Sequence, residues 1–120
     1  MLATFMAMPS KPVVHVMVPP PLYMDGRYGM NQTVINSIFP GASEAGIRAI
    51  AKKAGLSTPI DIYSLFQAHC PLVPGTPGHA ANSTDQPCNW IGSGGLDGCH
   101  PNDAGYGEVA AAVNDANFNQ

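Results

Sequence analysis

Charge is scarce in this chain. Among 120 residues there are 5 Lys or Arg and 8 Asp or Glu, for a net charge of −3. No basic run occurs, so nucleic acid and anionic membrane surfaces are not expected as partners. No long apolar run occurs, so no transmembrane span is expected. Cysteine is sparse and odd in number, at positions 70, 88 and 99, which leaves at least one thiol unpaired within a monomer. Neither a Cys-x-x-Cys nor a paired-histidine spacing supports zinc on these cysteines with His69, His79 and His100, and no metal or cofactor is expected. Gly92-Ser93-Gly94-Gly95 lacks the lysine and spacing of a phosphate loop, and Ser93 lacks the Gly-x-Ser-x-Gly of a nucleophile elbow.

Proline and glycine, by contrast, are abundant, 12 and 13 residues, and predict much loop. The length allows one domain. Residues 13–18 are nearly all apolar and β-branched, which predicts a strand buried on both faces in a parallel sheet, with His15 as a hydrogen-bonded core residue. Pro19, Pro20 and Pro21 end it. Loops after the carboxyl ends of parallel strands are where open α/β sheets hold ligands. Leu22, Tyr23 and Met24 therefore either line a pocket or, in the case of Tyr23, pack over the prolines. Residues 25–30 form a glycine-containing turn and residues 33–39 a short helical piece. Ser43 is expected to cap a helix with Ile47, Ile50, Ala51 and Ala54 on its apolar face, Lys52 and Lys53 in its last turn and Gly55 as its stop. Residues 60–63 read as a second strand, reached by a parallel crossover. Residues 64–68 read as a helical turn or short helix.

Residues 67–99 show little periodicity. Loops this long in a compact domain are often functional. Trp90 and Ile91 are its main apolar content. A Cys88–Cys99 bridge would clamp its end and stabilise it by roughly 2–3 kcal/mol. Asn31-Gln32-Thr33 and Asn82-Ser83-Thr84 are potential glycosylation triplets. With the bridge, they point to an extracellular parent protein. Residues 1–8 are apolar but have no preceding basic residue, and read as a helix fragment rather than a secretion signal.

The chemistry concentrates in Asp97-Gly98-Cys99-His100-Pro101-Asn102-Asp103-Ala104-Gly105-Tyr106. An Asp three residues before a His can fold back onto Nδ1 and fix one tautomer, which leaves Nε2 for a hydroxyl nucleophile. Gly98 would permit the turn. Pro101 suits a helix start, and Asn102 or Asp103 can cap that helix. Tyr106, Val109, Ala110 and Val113 recur at helical spacing. By spacing alone, the same residues also describe a surface turn with a solvated histidine.

This stretch resembles the last sequence block of the SGNH, or GDSL-type, hydrolases, an Asp-x-x-His followed by Pro, a polar pair and Gly-Tyr. Pro19-Pro20-Pro21-Leu22-Tyr23 resembles the segment after that family's third block. Val34-Ile35-Asn36, Ala49-Ile50-Ala51 and Ile60-Asp61-Ile62 follow its helix and next strand. The likeness spans residues 11–113. It implies a partial three-layer α/β/α, flavodoxin-like fold with parallel strands, in which residues 1–120 are the carboxy-terminal part of one domain that lacks its N-terminal half. Met1 would then be an internal methionine or an artificial start.

The resemblance further implies His100 as general base and Asp97 as its orienting carboxylate, acting on acyl or acetyl esters of small molecules or carbohydrates. The family's Gly-Asp-Ser nucleophile block is absent from this sequence, as are its oxyanion glycine and Gly-x-Asn-Asp blocks. None of the seven serines has the required context. Negligible hydrolysis is therefore expected from these 120 residues alone, and the missing half or a partner chain is expected to complete the site. The alternatives are a non-catalytic remnant that serves as a binding module, and a small disulfide-stapled secreted protein.

Overall fold

The computed structural model describes residues 1–23, 27–72, 88–92 and 97–118. Its elements run α1 (Leu2–Met6), β1 (Met17–Val18), a single 3-10 turn (Arg27–Gly29), a π-helical turn (Val34–Ile38), α2 (Ile47–Lys53), β2 (Ile60–Asp61), α3 (Ile62–His69) and α4 (Asp103–Phe118). The fold is α/β, and its sheet, among the described residues, is β1 paired parallel with β2, with Met17 opposite Ile60 and Val18 opposite Asp61. No described helix is long and apolar enough to cross a membrane.

Both strands are shorter than expected. Residues 13–18 give only two strand residues, and Val13 is 83 % exposed rather than buried. A parallel strand is buried only where packed elements cover both faces of its sheet, and the exposure of Val13 shows that this end of the segment is left uncovered, while among the described residues β1 pairs with β2 alone. Val18 is buried, and the Val16 carbonyl accepts from the Ile60 N–H. β2 stops after Asp61 because that side chain caps α3, its Oδ1 accepting from Ser64 N at 3.1 Å. Ile62 and Tyr63, expected to extend the strand, are therefore helical. The other oxygen, Asp61 Oδ2, pairs with Arg48 Nη2, while Arg48 Nη1 donates to the Pro40 carbonyl. Helix α2 begins after Gly46 with no side-chain cap, so Ser43 does not serve. Its end is as expected, with Gly55 at φ 70°.

The core gathers Tyr23, Ile60, Ile62, Phe66, Cys70, Cys88 and Ile91. Tyr23 belongs to it rather than to a pocket, and its hydroxyl donates to the Cys70 carbonyl at 2.9 Å. Burial, with Tyr63 nearby, holds this phenol well above its ordinary ionisation range. The disulfide joins Cys70 to Cys88, not Cys88 to Cys99. The end of α3 carries Cys70 into the core beside Cys88, whereas Cys99 remains free on a separate loop. Helix α4 packs on the core through Val109, Ala112, Val113 and Ala116, an i, i+3, i+4, i+7 stripe. That face is rotated from the expected one, since Tyr106 is 55 % exposed.

Candidate functional site

Residues 97–102 form the turn that enters α4. Asp97 Oδ1 accepts from the backbone N–H of Cys99 at 3.1 Å and of His100 at 3.0 Å. These two bonds close the turn, and Gly98 does so without left-handed backbone: the positive-φ glycines among the described residues are Gly29 and Gly55. The closed turn places the His100 ring against the same carboxylate, with Nδ1 at 2.9 Å from Oδ2 and 3.1 Å from Oδ1. A carboxylate only accepts, so the shared proton belongs on Nδ1 and Nε2 keeps its lone pair. Desolvation raises the Asp97 carboxyl, but the hydrogen bonds from His100 and Cys99 and the nearby imidazole outweigh it and hold the group below its usual value. The imidazole is half exposed.

Two neighbouring segments fix this turn. Tyr23 N donates to the Gly98 carbonyl at 2.7 Å, which ties the turn to the segment after β1. Leu22, next to Tyr23, is itself held by Asn36, whose amide accepts from Leu22 N and donates to Leu22 O, each at 2.8 Å. On the other side, Gly92 N donates to the His100 carbonyl at 2.8 Å and Asn102 N to the Trp90 carbonyl at 2.9 Å, flanking an Ile91–Pro101 antiparallel bridge. Asn102 Oδ1 then accepts from Gly105 N at 3.1 Å, so Asn102 is the cap of α4 and Pro101 lies before the helix rather than in its first turn. Its amide nitrogen donates to the Asn89 carbonyl at 2.8 Å. The 89–92 segment is anchored in turn: Trp90 stacks on His69 at 3.6 Å, and Ile91 is buried.

Two residues of the site had no distinctive sequence signal. Tyr28 sets its ring edgewise to His100, with centroids 5.0 Å apart, and Arg27 lies over the Tyr28 ring at 4.9 Å. Tyr28 has φ 53°, a left-handed conformation that is strained for a side chain of this size. Residues 25–30 read only as a glycine-containing turn, which says nothing of where a tyrosine ring will point. Cys99, half-buried, is the third addition. Burial first, then the Asp97 charge, pushes its thiol up, against the opposing pull of Arg27.

Asp97 and His100 are thus brought together as the sequence spacing suggests. Among the described residues, every side-chain hydrogen bond of His100 goes to Asp97, and no serine hydroxyl joins it. Met24, His79, Ser83, Ser93 and the Asn82 triplet lie outside the described residues. Comparisons with protein-family models, with curated proteins and with solved structures each find no match.

Proposed function

We propose that this chain carries the acid–base pair of an SGNH-type ester hydrolase, with His100 as general base and Asp97 as its orienting carboxylate. The observation that carries the reading is the Asp97–His100 Nδ1 contact on a turn pinned from both sides, with Nε2 left to meet a hydroxyl. Such an imidazole would take the nucleophile's proton at Nε2 while the carboxylate stabilises the imidazolium that forms. It would then return the proton to the departing alkoxide of an acyl or acetyl ester. The serine and its oxyanion donors are supplied from outside these 120 residues, as the family's block order implies. The three-layer, flavodoxin-like architecture belongs to the same proposal.

The test is the transcript upstream of these residues and the activity of the protein it encodes. A Gly-Asp-Ser block is expected there, together with p-nitrophenyl acetate hydrolysis by that protein. His100→Ala should abolish turnover, and Asp97→Asn should lower it by about 10^4 through loss of the correct tautomer. Near-wild-type turnover in either variant overturns the assignment. A transcript without the block, encoding a stable monodisperse product, transfers the reading to a non-catalytic binding module.

A further inference from the structure

The turn that orients His100 also brings a thiol to the same place. One ligand atom from each of Asp97, Cys99 and His100 lies within 4.8 Å of the other two. Cys99 is the cysteine left outside the Cys70–Cys88 bridge. From this cluster we infer that Asp97, Cys99 and His100 form a zinc site with three protein ligands, one thiolate, one imidazole nitrogen and one carboxylate oxygen.

The donor set selects the metal. Calcium and magnesium take oxygen ligands, whereas sulfur and imidazole together suit zinc. Zinc bonds of about 2.0–2.3 Å arranged tetrahedrally hold their ligand atoms roughly 3.3–3.8 Å apart, so the Asp97–His100 pair, now at 2.9 Å, would open by a few tenths of an ångström and separations of up to 4.8 Å within the cluster would close by about 1 Å. The turn is already held by its own hydrogen bonds and by Tyr23 and Gly92, so little ordering remains to be done on binding. The spacing, Asp-x-Cys-His, matches none of the familiar zinc spacings, and for that reason the cysteine and histidine pattern of the sequence does not reveal it.

On binding at neutral pH the Cys99 thiol loses its proton to solvent and its sulfur bonds the metal. His100 Nδ1, the nitrogen facing Asp97, exchanges its proton for the metal while Nε2 gains one, so one proton is released per ion. With Nε2 protonated, the imidazole can no longer accept a proton. The ion would therefore silence the acid–base pair, a consequence that, unlike the binding itself, rests on the hydrolase reading above.

The experiment uses the 120-residue chain with its disulfide intact, titrated with Co2+ as a spectroscopic stand-in for zinc. One Co2+ per chain is expected, with a thiolate-to-cobalt charge-transfer band and visible bands of tetrahedral intensity, all removed by added Zn2+. Cys99→Ser should lose the charge-transfer band. His100→Ala should weaken Co2+ binding by at least the roughly 10–100-fold that loss of an outer-shell partner costs. A wild-type chain without the band, a band that persists in Cys99→Ser or that Zn2+ does not displace, or full affinity in His100→Ala would each overturn the site. The readout is metal absorbance, so it stands independently of any ester turnover.

Discussion

Tyr23 shows how one side chain serves both the core and the site. Its ring is buried, its hydroxyl donates to Cys70 and its backbone N–H holds Gly98. Tyr23→Phe keeps the ring and the backbone bond and loses only the hydroxyl, so it should cost about 1 kcal/mol in urea denaturation. The fold also keeps this phenol neutral above its ordinary range. Below pH about 10 both folded and unfolded chains carry the proton, and Tyr23 makes no pH-dependent difference. Above it the unfolded chain ionises first, so stability should fall as pH rises, and should fall less steeply in Tyr23→Phe. Asp97 behaves in the opposite sense. Its lowered carboxyl adds stability at neutral pH that is lost as pH falls through its folded value. The loss should be absent in Asp97→Asn, as acid denaturation of the two proteins would show.

At the scale of elements, the junctions decide the structure. Asp61 ends a strand and starts a helix with one carboxylate. Asp61→Ala should therefore cost about 1–2 kcal/mol, mostly as lost capping, whereas Arg48→Ala, which removes a half-exposed ion pair, should cost about 1 kcal/mol or less in the same denaturation assay. Gly105 marks where α4 meets the 89–92 segment: a Cβ there would stand 2.2 Å from the Trp90 carbonyl oxygen. Gly105→Ala should destabilise the protein by about 1–3 kcal/mol and displace Asn102 from Trp90, which loss of amide-exchange protection at Asn102 would report. The glycine stop of helix α2, the proline end of β1 and the Asp97–His100 contact were legible in the sequence, because each depends on residues close together along the chain, whereas of the expected apolar face of α2 Ala51 is buried and Ile50 is exposed. Strand lengths were not legible, because coverage of Val13 depends on what packs over the face of the sheet and the end of β2 on a competing cap. The orientation of α4 was missed for a related reason: its alanines and valines spread around the helix, so several faces are similarly apolar and contact with the core chooses among them.

For the molecule as a whole, the site is assembled from distant segments. Residues 22–23 and 89–92 hold the backbone of the 97–102 turn, and Tyr28 sets its ring against the imidazole that the turn carries. The Cys70–Cys88 bridge fixes the end of α3 to the segment leading into Trp90, a pairing set by where the helix ends rather than by cysteine spacing. Its closure of an 18-residue separation is worth about 3 kcal/mol, and reduction should lower stability by that amount while Cys99→Ser leaves the disulfide in place, as unfolding curves and mass spectrometry would show. The fold-level frame was legible as far as parallel α/β, whereas the tyrosine, arginine and thiol around His100 follow from tertiary packing that no local pattern records. This packing, with the Asp97 contact, sets the His100 tautomer. The direct measurement is 15N NMR of the His100 ring in the metal-free chain, at a pH where the imidazole is neutral. A protonated Nδ1 and an unprotonated Nε2 are expected, with that preference lost in Asp97→Asn. Averaged tautomers like those of free imidazole, or a spectrum unchanged by Asp97→Asn, would contradict this tautomer assignment.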